Sequence, residues 1–200
     1  MTPLVDHDAV ARALVWGAVA VGVAGEIVAT YVSRLGGGGK AVASSDRGTK
    51  YVVVVATVIA LVAAWSIGNY APETYAGASG WAALVVGVAL VLIGGGLRVW
   101  AVAVLGRFFR REVTIMEGQA IVRRGPYRLI RHPAYLGTII LVFGLGLAIG
   151  GWIGAVVAAA IEVAGLLPRI RVEEATLAGA FGARYSEYAN ATARLVPGVW

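Results

Sequence analysis

Residues 125–168 read GPYRLIRHPAYLGTIILVFGLGLAIGGWIGAVVAAAIEVAGLLP. Two apolar runs, 134–149 and 152–168, are separated only by Gly150-Gly151, and the chain enters them through Tyr127, Arg128, Arg131, His132 and Tyr135. Each run is short for a spanning helix, which needs about 20 apolar residues. The pair therefore reads as a tight helical hairpin that just reaches the far leaflet. Polar groups at a membrane boundary are costly to place and mark functional sites. A second charged cluster, Arg169, Arg171, Glu173 and Glu174, follows the second run. Two polar clusters thus frame one apolar hairpin.

Upstream lie three more apolar runs, 10–33, 51–70 and 81–105, giving five predicted transmembrane helices. The chain of 200 residues is 59% hydrophobic and only 14% charged, against about 25% charged in soluble domains. The expected fold is an all-α integral membrane protein with a cytoplasmic connecting segment and a C-terminal helix. It forms a single domain over 1–200, with N-terminal helices in 1–97 and the core in 98–200. There is no cysteine, so disulfides and thiolate ligands are excluded. Asp6 and Asp8 replace the basic start of a signal peptide, so the first run is expected to stay as a span.

Loop charges set the orientation. The 34–50 loop carries Arg34, Lys40, Arg47 and Lys50 against Asp46; the 71–80 loop has Glu73 and no Lys or Arg; seven Arg fall between Arg107 and Arg131. The positive-inside rule puts every basic loop, and the C-terminus, in the cytoplasm, and the N-terminus outside. The Ala-, Val- and Gly-rich composition suits a bacterium of high genomic G+C, hence its inner membrane. The net charge of +6 beside a membrane faces anionic lipid rather than nucleic acid. Gly36 to Gly39 reads as a connector, and Gly94-Gly95-Gly96 allows close helix approach. Leu177, Phe181, Tyr185 and Tyr188 recur at helical spacing and predict a stripe that packs against the membrane domain, bent or interrupted at Gly179 and Gly182.

His132 precedes Pro133, which suits a helix start, so His132 is expected near the N-cap of the fourth helix. Tyr135 shares its face, and Tyr127 comes from the preceding turn. A helix N-terminus favours a ligand carboxylate. Glu173 could accept hydrogen bonds from ribose hydroxyls or face a cationic ligand, or stand as a solvated helix charge. Arg169 could pair with a substrate carboxylate through its planar fork or anchor the membrane flank. Glu26, Arg98 and Glu162 lie inside apolar spans at matching depths, which predicts a structural pair of Arg98 with Glu162 or Glu26. No metal site is expected, since His7 and His132 are the only His and fall on opposite sides. There is no serine-triad context, no GxGxxG after a strand and no P-loop.

The C-terminal half resembles the isoprenylcysteine carboxyl methyltransferase family, related to phospholipid methyltransferases. The matching pieces are Arg98-x-Trp100, Leu105-Gly106-Arg107-Phe108-Phe109, Gly125-Pro126-Tyr127 and Arg131-His132-Pro133-x-Tyr135-x-Gly137. Beyond the hairpin come Arg169, Glu173-Glu174, Phe181-Gly182-x-x-Tyr185-x-x-Tyr188 and Leu195-x-Pro197. The resemblance implies a membrane enzyme using S-adenosylmethionine, with cofactor contacts at Gln119, Ile121, Val122, Tyr127, His132, Pro133, Ala134, Tyr135 and Glu173. Arg169 would be the catalytic, substrate-orienting arginine. Gln119 stands where many relatives have His, and Glu112 near a family glutamine. The implied reaction is methyl transfer, expected as carboxyl O-methylation of a lipophilic small molecule or prenylated substrate among membrane lipids, without nucleic acid or metal. A sterol-reductase-like enzyme using NADPH, and a membrane protein without turnover, are the alternatives.

Overall fold

The computed structural model describes residues 8–35, 41–44, 46–70, 80–110, 112–198 and 200. His7, the Gly36–Gly39 connector, Lys40 and Glu73 lie outside the described residues, as do the side chains of Arg34 and Glu26, although Glu26 falls on a described helix.

Helix α1 spans Ala9–Leu35, α2 Thr49–Tyr70, α3 Gly80–Leu105, α4 Pro133–Phe181 and α5 Ala183–Asn190. Aspartates stand at two of the helix starts. Asp8 Oδ1 takes the Val10 and Ala11 N–H groups at 2.8 and 3.1 Å, while the Asp46 backbone carbonyl takes the Thr49 N–H at 2.8 Å and its Oδ1 takes the Thr49 hydroxyl at 3.0 Å. Both satisfy donors that a first helical turn leaves open. At α4, Pro133 occupies the first turn and His132 the N-cap position, but the imidazole makes no capping bond.

Among the described residues, three helices are long and apolar enough to cross a membrane: Thr49–Tyr70, Gly80–Phe108 and Pro133–Phe181. Among its described residues, α1 contributes the apolar stretch Ala9–Gly25. Where two separate helices were expected at 134–149 and 152–168, the structure has one long element broken at Gly151, whose φ of 63° and ψ of −165° are not helical. The chain folds back there. A Cβ on Gly146 would lie 2.8 Å from the Cα of Ala155, residues that a straight helix would hold about 14 Å apart. The returning arm also runs past Pro168 without a break and ends only at Gly182, with φ of 54°. Gly179 stays helical, so of the two expected breaks only Gly182 interrupts.

Both α4 arms pack into a layer with α2 and α3, and α1 covers α3. Two glycine pairs let α3 and α4 meet backbone to backbone. A Cβ on Gly94 would sit 2.5 Å from the Gly137 carbonyl oxygen, and one on Gly87 would sit 2.6 Å from that of Gly144. Gly96 in the same helix meets nothing within 4 Å, so only part of the 94–96 cluster serves packing. The outward faces of α2 and α3 carry exposed Val55, Ile59, Trp65, Val86 and Ile93, side chains suited to lipid.

The chain is not purely helical. A short strand, β1 (Ala41–Ser44), pairs antiparallel with β2 (Thr114–Met116), with Ala43 opposite Ile115 and Ser44 opposite Thr114. Periodicity could not show this, because the pair joins two connections some seventy residues apart. It ties the α1–α2 connection to the segment entering the site. A 3-10 turn at Gly106–Phe108 precedes β2 and another at Gly125–Arg128 follows it.

Filling the glycine seam tests this packing. Gly144→Ala is expected to lose about 1–3 kcal/mol of stability, read as a lower thermal midpoint of the detergent-solubilised protein. Gly96→Ala should leave that midpoint unchanged.

Candidate functional site

A cavity of about 720 Å³ opens at the end of the bundle where α4 starts and where its returning arm emerges. That is within the range of small-molecule and cofactor sites. Gln119, Ile121, Val122, Tyr127, His132, Ala134, Tyr135, Arg169 and Glu173 all line it. Pro133 alone of the expected contact residues does not; it is fully buried at the start of α4.

The fold-back of α4 builds the polar wall. Arg169 Nε donates to the Tyr135 hydroxyl at 2.9 Å, and that hydroxyl donates to Glu173 Oε2 at 2.5 Å. The three residues thus form one chain across the two arms. His132 stacks on Tyr135, with ring centroids 5.3 Å apart and planes 10° from parallel. Its Nδ1 lies 4.0 Å from Glu173 Oε2, and its Nε2 lies 3.2 Å from Glu174 Oε1.

Glu173 and Glu174 are neighbours on a helix and so point in different directions. Glu173 faces the cavity. Glu174 turns to the C-terminal segment, where it collects Arg131 Nε at 3.0 Å and Arg194 Nε at 2.9 Å as well as His132. Arg131 also donates to the Ala189 and Thr192 carbonyls. Backbone bonds from Arg131 to Ala193 O and from His132 to Arg194 O complete the clasp. Burial by itself would raise the Glu174 carboxyl; the hydrogen bonds from His132 and Arg131 outweigh it and hold it at about 2.

Tyr127 sits on the Gly125–Arg128 turn, packed against Ala101 and Ala134, and its carbonyl accepts the Tyr188 hydroxyl at 3.0 Å. Gln119 follows the turn after β2. Its side-chain oxygen accepts the Met116 N–H at 2.8 Å, which leaves its amide N–H groups for the cavity.

Sequence reasoning missed two groups. Asp46, from the α1–α2 connection, lies 2.9 Å from Arg169 Nη1 and is only 8% exposed, as Arg169 is 7% exposed. Burial tends to raise the Asp46 carboxyl, but the Thr49 hydroxyl and the Arg169 guanidinium bring it below the ordinary aspartate value, with the Lys50 and Val113 backbone N–H groups adding to the effect. Only its place next to a helix start marked it, and a helix cap is the commoner use of such an Asp. The second group is the tail stripe. Leu177, Phe181, Tyr185 and Tyr188 do not simply pack on the bundle but line the cavity. The buried Tyr185 hydroxyl has no hydrogen-bond partner among the described residues.

Of the intramembrane charges, Arg98 donates to Thr138 Oγ1 at 3.1 Å and Ala134 O at 3.4 Å. Glu162 is fully buried and accepts the Thr57 hydroxyl at 2.8 Å. The two charges lie within electrostatic reach of each other. Among the described residues, no group of three His, Cys, Asp or Glu is placed to hold a metal ion.

Residues 86–179 match the isoprenylcysteine carboxyl methyltransferase (ICMT) family. Among curated proteins, the chain is 34% identical over 113 residues to protein-S-isoprenylcysteine O-methyltransferase A of Arabidopsis thaliana, which covers 56% of this chain and 57% of that protein. It is 32% identical over 112 residues to the probable protein-S-isoprenylcysteine O-methyltransferase of Oryza sativa subsp. indica, covering 55% and 59%. The chain therefore spans under three fifths of the length of these relatives.

Glu174 gives a pH-dependent prediction. Its folded pKa lies below the ordinary 4.5, so its stabilisation is complete above about pH 4.5 and is lost as pH falls toward about 2. At neutral pH, Glu174→Gln is expected to cost about 3 kcal/mol. The gap in thermal midpoint between wild type and this variant should narrow as the pH drops below about 4.5.

Proposed function

On the match of residues 86–179 to the isoprenylcysteine carboxyl methyltransferase family, we propose that this chain is a membrane methyltransferase of that family. It uses S-adenosylmethionine to methylate a lipophilic acceptor, by carboxyl O-methylation. The observation that carries this reading is a single cavity with two kinds of wall. Its polar end gathers Tyr127, His132, Tyr135, Arg169 and Glu173, while its far end runs between apolar residues of α1, α2 and α4 such as Val19, Leu61, Leu141 and Leu145. The apolar end suits a hydrocarbon chain arriving from the bilayer. The names of the plant relatives make an S-isoprenylcysteine the first acceptor to test.

The residues present suit the cofactor. Glu173 and the unpartnered Tyr185 hydroxyl offer hydrogen bonds to polar groups such as ribose hydroxyls, and the Tyr135 ring offers an aromatic face to a cation. Gln119, Ile121, Val122, Tyr127, His132 and Ala134 complete the holding set, with Pro133 shaping it from behind. When bound, the cofactor supplies an electrophilic methyl group on a sulfonium.

The protein's own part is orientation. A carboxylate acceptor is already nucleophilic, so no general base is needed. Arg169 cannot swing freely, because Asp46 and Tyr135 hold two of its nitrogens. A fixed guanidinium orients an acceptor, and orientation of this kind accounts for large factors in rate. Tyr135 couples Arg169 to Glu173, so the acceptor and cofactor contacts share one rigid network.

For the membrane arrangement, we take α1, α2, α3 and the two arms of α4, 133–150 and 152–168, as five spans. The basic connections and the polar end of the cavity then face the cytoplasm, with the N-terminus outside and an inner membrane as the site.

Calorimetric titration of the purified protein with S-adenosylhomocysteine, with NADPH in parallel, tests the reading. Saturable binding of the first, abolished by Glu173→Ala, is expected; binding of NADPH alone would replace it with a reductase. Arg169→Ala should retain that binding but lower turnover of an S-isoprenylcysteine about 100-fold; undiminished turnover would remove Arg169 from the mechanism.

A further inference from the structure

Among the described residues, the Lys and Arg side chains lining the cavity are Lys50, Arg98, Arg110, Arg131 and Arg169. Four of them are committed. Lys50 meets Glu112, Arg131 meets Glu174, Arg169 meets Asp46, and Arg98 bonds to Thr138 and the Ala134 carbonyl. Arg110 differs. It is half-buried, and its Nε is fully buried with no hydrogen-bond partner among the described residues. A buried donor left unsatisfied is costly, and a ligand acceptor would remove that cost.

Arg110 follows the 3-10 turn at 106–108, and its neighbours Phe108, Phe109, Glu112 and Val113 also line the cavity. The segment that carries it runs to the Arg169 end. The Val113 N–H acts on the Asp46 carboxyl that holds Arg169, and three residues of chain reach about 11 Å at most.

Local charge around Arg169 favours a further cation there. Arg169 is balanced by Asp46, and Glu173 lies one hydroxyl away through Tyr135. An incoming carboxylate would face two carboxylates and one guanidinium. Resting on the methyltransferase reading above, we propose that Arg110 receives the carboxylate of the lipophilic acceptor and so selects an anionic acceptor over a neutral one. The planar guanidinium matches a carboxylate through two parallel N–H bonds. Arg169 then orients the acceptor end from the opposite, fixed side.

The test compares binding of an S-isoprenylcysteine with a free α-carboxylate and of the same compound as its carboxamide, by titration of the full chain with S-adenosylhomocysteine present. Wild type is expected to prefer the carboxylate by about tenfold to a hundredfold, as for hydrogen bonds to charged groups. Arg110→Gln should bring the ratio near one without changing S-adenosylhomocysteine affinity, and Arg110→Lys should restore part of it. Arg107→Gln removes a nearby exposed charge outside the cavity and should keep the wild-type ratio. An unchanged ratio in Arg110→Gln, or no preference in wild type, overturns the role of Arg110 while leaving the methyltransferase reading intact. Binding of neither probe nor S-adenosylhomocysteine by wild type would overturn both.

Discussion

Arg169 is the point at which three distant parts of the chain are tied together. Its guanidinium is almost wholly buried and holds Asp46 from the α1–α2 connection and Tyr135 from the start of α4. A guanidinium does not lose its charge in a protein, and a buried charge must be paired. The pairing therefore constrains the tertiary structure as much as it shapes the site. Asp46 reaches Arg169 from the same stretch in which β1 pairs with β2 and Lys50 meets Glu112. Tyr135 can reach it only if α4 reverses.

That reversal depends on small residues. Gly151 adopts a conformation that disfavours a side chain, and Gly146 and Gly154 let the two arms touch. The Gly87–Gly144 and Gly94–Gly137 contacts then seat the first arm on α3 at backbone distance. Between helices in lipid, close packing replaces the hydrophobic drive that water supplies, so these glycines matter more here than in a soluble bundle. The polar end gains its rigidity from the second clasp, in which Glu174 gathers Arg131, His132 and Arg194 and fixes the C-terminal segment against the start of α4.

Much of this was legible in the chain. The apolar runs 51–70 and 81–105 coincide closely with α2 and α3, because a run of that length with at most one charge, Arg98 in the second, has few alternatives to a membrane helix. Gly150-Gly151 marked the break in α4, and His132-Pro133 marked its start. Motif reasoning singled out residues that, apart from Pro133, line one cavity, from Gln119 to Glu173. Less legible were features that arise from pairing across long separations. Asp46 looked like a loop charge, the tail aromatics looked like packing, and the short sheet had no periodic signature.

The sequence by itself determined where apolar segments run, where they break and which polar residues stand at their ends, because hydrophobic length, glycine and proline act locally. Tertiary structure alone decided the partners. It gave Arg169 to Asp46 and Tyr135, sent Glu173 and Glu174 to different tasks, turned Tyr185 toward the cavity and left the Arg110 Nε without an acceptor. Pairing of buried charges depends on distances set by the folded backbone, and no spacing along the chain encodes them.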